Sequence, residues 1–354
     1  MDETFLVIID ELRVPIVLAP MAGGPSTPEL TAAVAEAGGL GVLAAGYLSA
    51  ADTAARIEAT RALTDAPLGV NLFVPGPPTP PEDFADYLAE LGRDHEVGTP
   101  KYDTDDWDAK LDSLVASPVA VVTCTFGCPS AAEVDRLHAV GSEVWVTVTS
   151  VAEARIAIAA GADVLVAQGA EAGGHRATFV DRVADDQTDP LGLLALLQLL
   201  TAAVDRPIVA TGGIGTGAGI AAALAAGAAA VQLGTVFLRC PEAGTNPVHR
   251  GALASATPTM LTRAFTGRRA RGLRNEFMTE HTANAPAAYP EIHYATAPLR
   301  AAARAAGNPD EVNLWAGQTQ LLTPELPAGE LVRTLAAETK TALNAALSRR
   351  ILVC

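Results

Sequence analysis

Residues 167–179, AQGAEAGGHRATF, set one acid, one histidine and one arginine among three glycines, directly behind the apolar run ADVLVA. His175 is the residue here best suited to proton transfer. A free imidazole titrates near neutrality, so its neutral ring is a usable base. The flanking Gly173 and Gly174 let the backbone lie close to a ligand. Glu171 reads as a hydrogen-bonding anchor of the loop rather than a second base. Arg176 either aids anion binding or forms an ion pair with the surface. The other histidines are weaker candidates: His95 lies in an acidic stretch, His138 on a helix, and His249, His281 and His293 in a late segment. No pair has metal-ligand spacing, so no metal is expected. Cys124 and Cys128 form a C-x3-C that matches neither a zinc ribbon nor a redox pair, and no role is assigned to them.

A second group of residues points to an anion. TGGIGTG (211–217) and QLGT (232–235) each follow an apolar run and each open a helix-like segment. Both loops, Gly234 included, would present backbone N–H groups to a phosphate; Gly212, Gly213 and Gly215 permit positive φ and close approach, and Thr235 would add a hydroxyl. The spacing fits neither G-x-G-x-x-G nor a P-loop. Asn71 and Gln168 end two other apolar runs. Each amide carries both a donor and an acceptor, which suits the polar edge of a heterocycle or a satisfied core position. Phosphate loops combined with inward amides point to FMN.

The elements that must carry these residues are eight apolar runs rich in Val, Ile and Leu, at 15–19, 40–45, 68–73, 119–126, 143–148, 163–168, 207–211 and 230–235. None alternates strictly with polar residues, so they read as strands of a parallel sheet buried on both faces. Helices with readable ends separate them. One is capped by Thr27, with Pro28 at the first position and Gly38 behind it. One runs from Ser150 to Gly161, one starts at Asp189–Pro190, and one ends at Gly227. Eight such units predict an α/β fold of the (β/α)8 TIM-barrel type, with a doubly wound sheet as the competing arrangement. The barrel would span 1–239, with a Pro-rich and then acidic excursion at 74–114. Residues 240–322 show no strand periodicity and read as a mostly helical cap carrying the substrate. Residues 323–354 read as an amphipathic helix, about 328–349, that packs back and closes the barrel. In this fold the chemistry sits where the strands end.

The chain of 354 residues carries a net charge of −16. Such a surface repels nucleic acid and anionic membranes and favours a small-molecule partner. The uncharged stretch 217–238 is long enough to span a bilayer, but it is mostly Ala and Gly and is broken by Gly227 and Gly234, so it reads as a helix followed by a buried strand. The N-terminus lacks a basic region and a cleavage site, and the protein is expected to be cytoplasmic, as a monomer or weak homodimer.

At APMAGG (19–24), GVNLF (69–73), QGAEAGGHR (168–176), ATGGI (210–214), QLGTVFL (232–238) and NLWAGQ (313–318), the sequence resembles the nitronate monooxygenases, formerly called 2-nitropropane dioxygenases. The histidine loop together with WAGQ looks like the class I enzymes. The resemblance implies a TIM barrel with a helical substrate domain and non-covalent FMN. It implies that Asn71, Gln168, Gly173, Gly174, Gly212, Gly213 and the turn Gln232–Leu233–Gly234–Thr235 contact FMN, with the backbone of Pro20, Met21 and Ala22 near the flavin. It implies His175 as the base for a neutral nitroalkane, and O2-dependent conversion of a nitronate, propionate 3-nitronate among them, to a carbonyl compound and nitrite. Ala177 stands where the family usually has glycine, which leaves the path after Arg176 open. Two other readings compete: an FMN-dependent reductase using NAD(P)H on a quinone or enoyl substrate, and a non-catalytic FMN- or phosphate-binding barrel. Tyr289, Tyr294 and Trp315 are candidates for touching substrate.

Overall fold

The computed structural model of the chain describes residues 7–187 and 189–349; Cys354 and the rest of 350–354 lie outside them. Six parallel strands come first: β1 (Ile16–Leu18), β2 (Gly41–Ala44), β3 (Leu68–Phe73), β4 (Val121–Thr125), β5 (Glu143–Val148) and β6 (Val164–Gln168). A two-residue strand, β7 (Gly174–His175), follows in the histidine loop, and β8 (Ile208–Thr211) and β9 (Ala230–Leu233) return to the parallel sheet. The sheet order is β1-β9-β8-β6-β5-β4-β3-β2. A parallel bridge from Val17 to Leu40 joins its two edges. The Leu18 N–H donates to the Leu40 carbonyl at 2.9 Å, so the sheet is a closed TIM barrel rather than a doubly wound one. All eight expected strands are present, each trimmed by no more than a few residues.

Side chains alternate along each strand, and this parity sorts the barrel interior into layers. Val121, Trp145, Val164, Val166, Val209 and Ala230 face inward near the strand starts and join Val7 and Ile9 in one buried cluster. Two or four residues further on, the same inward face carries Asn71, Thr125, Thr147, Gln168, Thr211 and Gln232, all of which line one cavity. The barrel is therefore apolar at its base and polar at its mouth.

Helix ends follow the local sequence closely. The Thr27 hydroxyl accepts from the Leu30 N–H at 3.0 Å, with Pro28 beginning the helix Pro28–Glu36. Ser150 caps Val151–Ala159. Gly38, Gly161 and Gly227 all take φ near +100°, the left-handed turn out of each helix. The helix expected from Asp189–Pro190 instead runs Leu193–Thr201, because Glu171 reaches across and accepts from the Leu193 N–H at 3.0 Å. The uncharged stretch after 217 resolves into helix Gly217–Ala225 and strand β9. Among the described residues, no helix is long and apolar enough to cross a membrane. The last helix, Ala328–Leu347, buries Leu331, Val332 and Leu335 and packs on Gly217–Ala225 and Pro28–Glu36, the last and first barrel helices.

The segment over the barrel mouth is not the mostly helical cap that the sequence predicts; it mixes short helices with long irregular stretches and two strands with no clear sequence periodicity, β10 (Thr259–Thr262) and β11 (Ala270–Leu273). They form an antiparallel sheet with β7, in which Ala270 pairs with His175 and Arg271 with Gly174. The excursion after β3 belongs to this layer too. Phe84, Tyr87 and Leu91, from the 3-10 turn Pro81–Asp83 and the helix Ala85–Leu91 that follow it, share a core with Phe265, Phe277, Met278 and Ile292.

Candidate active site

A cavity of about 890 Å3 opens where the strands end. Of the residues singled out in the sequence, His175, Pro20, Met21, Ala22, Asn71, Gln168, Gly173, Gly174, Gly212, Gly213, Gln232, Gly234 and Thr235 all line it. Leu233 does not. Parity turns its side chain into the core between sheet and helices, where it is 2% exposed, and its carbonyl accepts from the Ala19 N–H at 2.8 Å.

The histidine loop is held from three sides. β11 pairs with it on one side. The Gln168 amide donates from Nε2 to the His175 carbonyl at 3.0 Å and accepts at Oε1 from the Ala177 N–H at 2.9 Å. Gln168 is thus committed to positioning the loop that follows its own strand. Ala177 keeps a negative φ and is fully buried, so glycine is not required there. Arg176 points inward, which rules out an outward ion pair: it is 3% exposed and donates to the Gly169 carbonyl at 2.5 Å and the Gln168 carbonyl at 3.3 Å.

The ring of His175 contacts Phe126, Tyr289 and Trp315, with centroids 5.5–5.6 Å away. Its Nε2 lies 2.9 Å from the Thr266 hydroxyl. In the tautomer in which that hydroxyl donates to the Arg268 carbonyl at 3.2 Å, Nε2 donates to Thr266 and Nδ1 carries the lone pair. Nδ1 has no protein partner among the described residues. Burial, and secondarily the Arg268 charge, pushes the pKa of His175 down to about 3, so the ring is neutral at physiological pH. Phe126 sits in the left-handed region at φ 77°. Its ring lies against the Arg268 guanidinium at 4.1 Å and meets the imidazole in an edge contact.

The glycine loops form an open cradle of N–H groups. Among the described residues, the backbone N–H groups of Gly212, Gly213, Ile214, Gly234 and Thr235 have no protein acceptor. Gly213 takes φ +68°, and a Cβ there would lie 2.7 Å from Cβ of Glu171. Only a bare residue lets the β6 and β8 loops close on each other. The start of the following helix is not free, however. Glu338 accepts from the Gly217 N–H at 3.0 Å and already serves as the anion at that N-terminus. The Thr235 hydroxyl accepts from the Gly317 N–H at 3.0 Å, which ties the WAGQ segment to the cradle.

At the polar mouth, Asn71 Nδ2 donates to the hydroxyls of Thr123 and Thr125, each at 2.9 Å, and to the Thr123 carbonyl at 3.2 Å. A carbonyl only accepts, so the NH2 must face it, and Asn71 Oδ1 is the end left for the cavity. Gln232 Oε1 is buried with no partner. Of the three aromatic candidates, Trp315 lines the cavity and Tyr289 lies tilted against His175. Tyr294 instead meets Lys101, 5.3 Å from its ring.

Several lining residues carried no clear signal in the sequence. Tyr47, at φ 67°, stacks on His293 with centroids 4.1 Å apart, and its N–H is held by Asp105 at 2.7 Å. Arg300 and Arg304 line the cap side, and the lining includes no Asp, Glu or Lys. Thr125, Thr147 and Thr211 lie within the expected strand runs and could have been found by following the inward parity to each run's end. The cap residues had no such guide.

A nitronate monooxygenase family model matches residues 7–338. The chain belongs to the nitronate monooxygenase family. It is 43% identical to a nitronate monooxygenase of Pseudomonas aeruginosa over 344 residues, covering 92% of this chain and 96% of that one. A solved nitroalkane oxidase from Streptomyces ansochromogenes superposes with a TM-score of 0.93 at 48% identity, covering 96% and 99% of the two chains. FabK from Thermotoga maritima superposes with a TM-score of 0.75 at 27% identity, covering 96% of each. The family makes the protein an oxidoreductase that acts on nitronates.

Proposed function

We propose that the protein oxidises alkyl nitronates, and neutral nitroalkanes after deprotonating them, with FMN and O2, to a carbonyl compound and nitrite. The observation that carries this reading is the pairing of a neutral imidazole, Nδ1 free, with a cavity whose charged lining residues are both arginines. In a chain of net charge −16, such a pocket selects an organic anion.

The residues present fit FMN. The acceptor-free N–H groups of Gly212, Gly213, Ile214, Gly234 and Thr235 suit its phosphate. The buried, unpartnered Gln232 Oε1 calls for a ring or ribityl donor, and the free Asn71 oxygen for another. Pro20–Ala22 and Gly173–Gly174 supply backbone wall. FMN bound there supplies the redox chemistry, removal of an electron from the nitronate, with O2 completing the conversion.

His175 deals with the proton. The α-C–H proton of a neutral nitroalkane passes to Nδ1, and the C–H electron pair moves onto the nitro group to give the nitronate. The depressed pKa makes an isolated imidazolium unfavourable, so transfer proceeds only as negative charge grows beside it. Arg268 and Arg300, which disfavour the imidazolium, stabilise that growing anion. Thr266 keeps the proton on Nε2 and the base on Nδ1. A nitronate arrives already deprotonated and needs none of this.

The test begins with purified protein. It should be yellow. Without O2, propionate 3-nitronate should bleach the flavin and NADH should not; the reverse result would favour the reductase. His175→Ala should abolish nitroalkane turnover and largely keep nitronate turnover. If both persist unchanged, His175 is not the base.

A further inference from the structure

The excursion after β3 has no part in that chemistry, but one stretch of it reaches the back of the cavity wall. GTPKYDTDDWDAK (98–110) sets four aspartates between two lysines. Asp105 and Asp106 both take left-handed φ, 56° and 52°, and the Asp105 N–H donates to Asp103 Oδ1 at 2.7 Å. Non-glycine residues seldom adopt that conformation. It persists where the surrounding structure dictates it, and such places cluster around active sites.

What these residues hold is a third left-handed residue, Tyr47, at the end of the loop Ala45–Gly46–Tyr47 behind β2. The Tyr47 N–H donates to Asp105 Oδ1 at 2.7 Å. Asp105 Oδ2 lies 2.7 Å from Lys110 Nζ, and that ammonium also donates to the Ala45 carbonyl at 2.9 Å. The Lys110 side chain is 1% exposed and that of Asp105 16%. One buried ion pair therefore grips both ends of the loop. Gly46, between them, has no side chain to spare: a Cβ there would run into the ring of Phe73. The other end of the stretch is fastened to the cap. The Gly98 N–H donates to the Ala295 carbonyl at 2.8 Å, and Lys101 lies over the Tyr294 ring. Both partners belong to the helix Glu291–Ala295, which carries His293. Tyr47 and His293 stack on each other and line the cavity, so one short segment fastens both rings from behind. The Tyr47 hydroxyl accepts from the Tyr289 hydroxyl at 3.1 Å, and the Tyr289 ring touches His175. Moving Tyr47 would loosen His293 and Tyr289 with it.

We propose that Asp105, seated by Lys110, is a positioning residue for the active site: it fixes the backbone of Tyr47 so that the Tyr47 ring stacks on His293 and sets the width of the cavity on the Tyr289 side. Without the Asp105 acceptor, the Tyr47 N–H is unpaired and its left-handed φ is unsupported. The ring then leaves the stack and the wall retracts. Small nitronates lose contact that larger ones keep. The assignment rests on the nitronate reading only for the choice of substrates.

Two double variants separate the hydrogen bond from the ion pair. Lys110→Met is combined with Asp105→Asn in one and with Asp105→Leu in the other. Each removes both charges together, so no lone charge is left buried. Only the Asn variant keeps an oxygen for the Tyr47 N–H. Oxygen consumption by the FMN-loaded enzyme is measured with ethylnitronate and cyclohexylnitronate. In the Leu variant, KM for ethylnitronate should rise about tenfold with kcat within about threefold, and the ethyl-over-cyclohexyl preference in kcat/KM should fall about tenfold. The Asn variant should stay within about threefold of the unmodified enzyme in each quantity. An unchanged KM in the Leu variant, equal changes in both variants, or losses that follow the melting temperature instead of the acceptor would overturn the assignment. If a variant does not fold, hydrogen exchange resolved at the Tyr47 amide of the unmodified protein decides. That amide should exchange as slowly as those of the barrel strands, although it lies in a loop, and fast exchange would overturn the clamp. Slow exchange without nitronate turnover would count against the reaction and leave the clamp standing.

Discussion

Thr266→Val tests the orientation of the base. The two side chains have nearly the same shape, and Thr266 is 1% exposed, so the change removes a hydroxyl and little else. In the native protein that oxygen lies 2.9 Å from His175 Nε2. Without it, the Nε2–H group is a buried donor with no acceptor, at a cost of about 1–3 kcal/mol. The ring escapes that cost by carrying its proton on Nδ1, the atom that must be empty to act as a base. The balance between productive and unproductive tautomers therefore moves by up to the same amount. At about 1.4 kcal/mol per factor of ten, kcat/KM for nitroethane should fall roughly 5- to 150-fold. Ethylnitronate needs no proton removed, and its turnover should stay within about threefold of the original. Oxygen consumption with each substrate measures both. Thr266→Ser keeps the hydroxyl and should restore nitroethane turnover. An unchanged nitroethane rate would refute the tautomer argument. Equal losses on both substrates, with Ser no better than Val, would show that Thr266 serves the fold and not the base.

Three further outcomes follow from the geometry. Gln168→Leu leaves the buried Ala177 N–H without its acceptor; it should lower stability by about 1–3 kcal/mol in thermal unfolding and slow nitroalkane turnover while FMN stays bound. Gly213→Ala forces a side chain into φ +68° and against Glu171; strain of roughly 1–3 kcal/mol should appear as a lower melting temperature and a weaker FMN affinity by fluorescence titration. His175, His249 and His293 all have pKa values pushed below the ordinary value of 6.5, first by burial. Below that pH the unfolded chain takes up protons that the folded one refuses. Stability should therefore be full above about pH 6.5 and fall as pH drops, with each histidine adding up to about 1.4 kcal/mol per pH unit until its folded pKa is reached. Urea titrations between pH 4 and 7 read that slope, and a flat profile would contradict the burial argument.

The sequence by itself determined the barrel, because strand runs, caps and left-handed glycines are local signals. Thr27, Ser150 and Gly161 do in the fold what their residue types dictate over four or five positions. It also determined that His175 and the glycine loops share a site, since strands of one barrel end at one face. It did not show that Gln168 holds the histidine loop, that Glu338 already occupies the helix start at Gly217, or that Leu233 turns away from the cavity. Nor did it show that Thr266, Phe126 and Arg268 gather about the imidazole. Those residues lie 49–93 positions from His175 in the chain, on segments whose composition says nothing about where they fold. Only tertiary packing brings them together. There the tautomer, the pKa and the unpaired acceptors are decided by neighbours that no local pattern encodes.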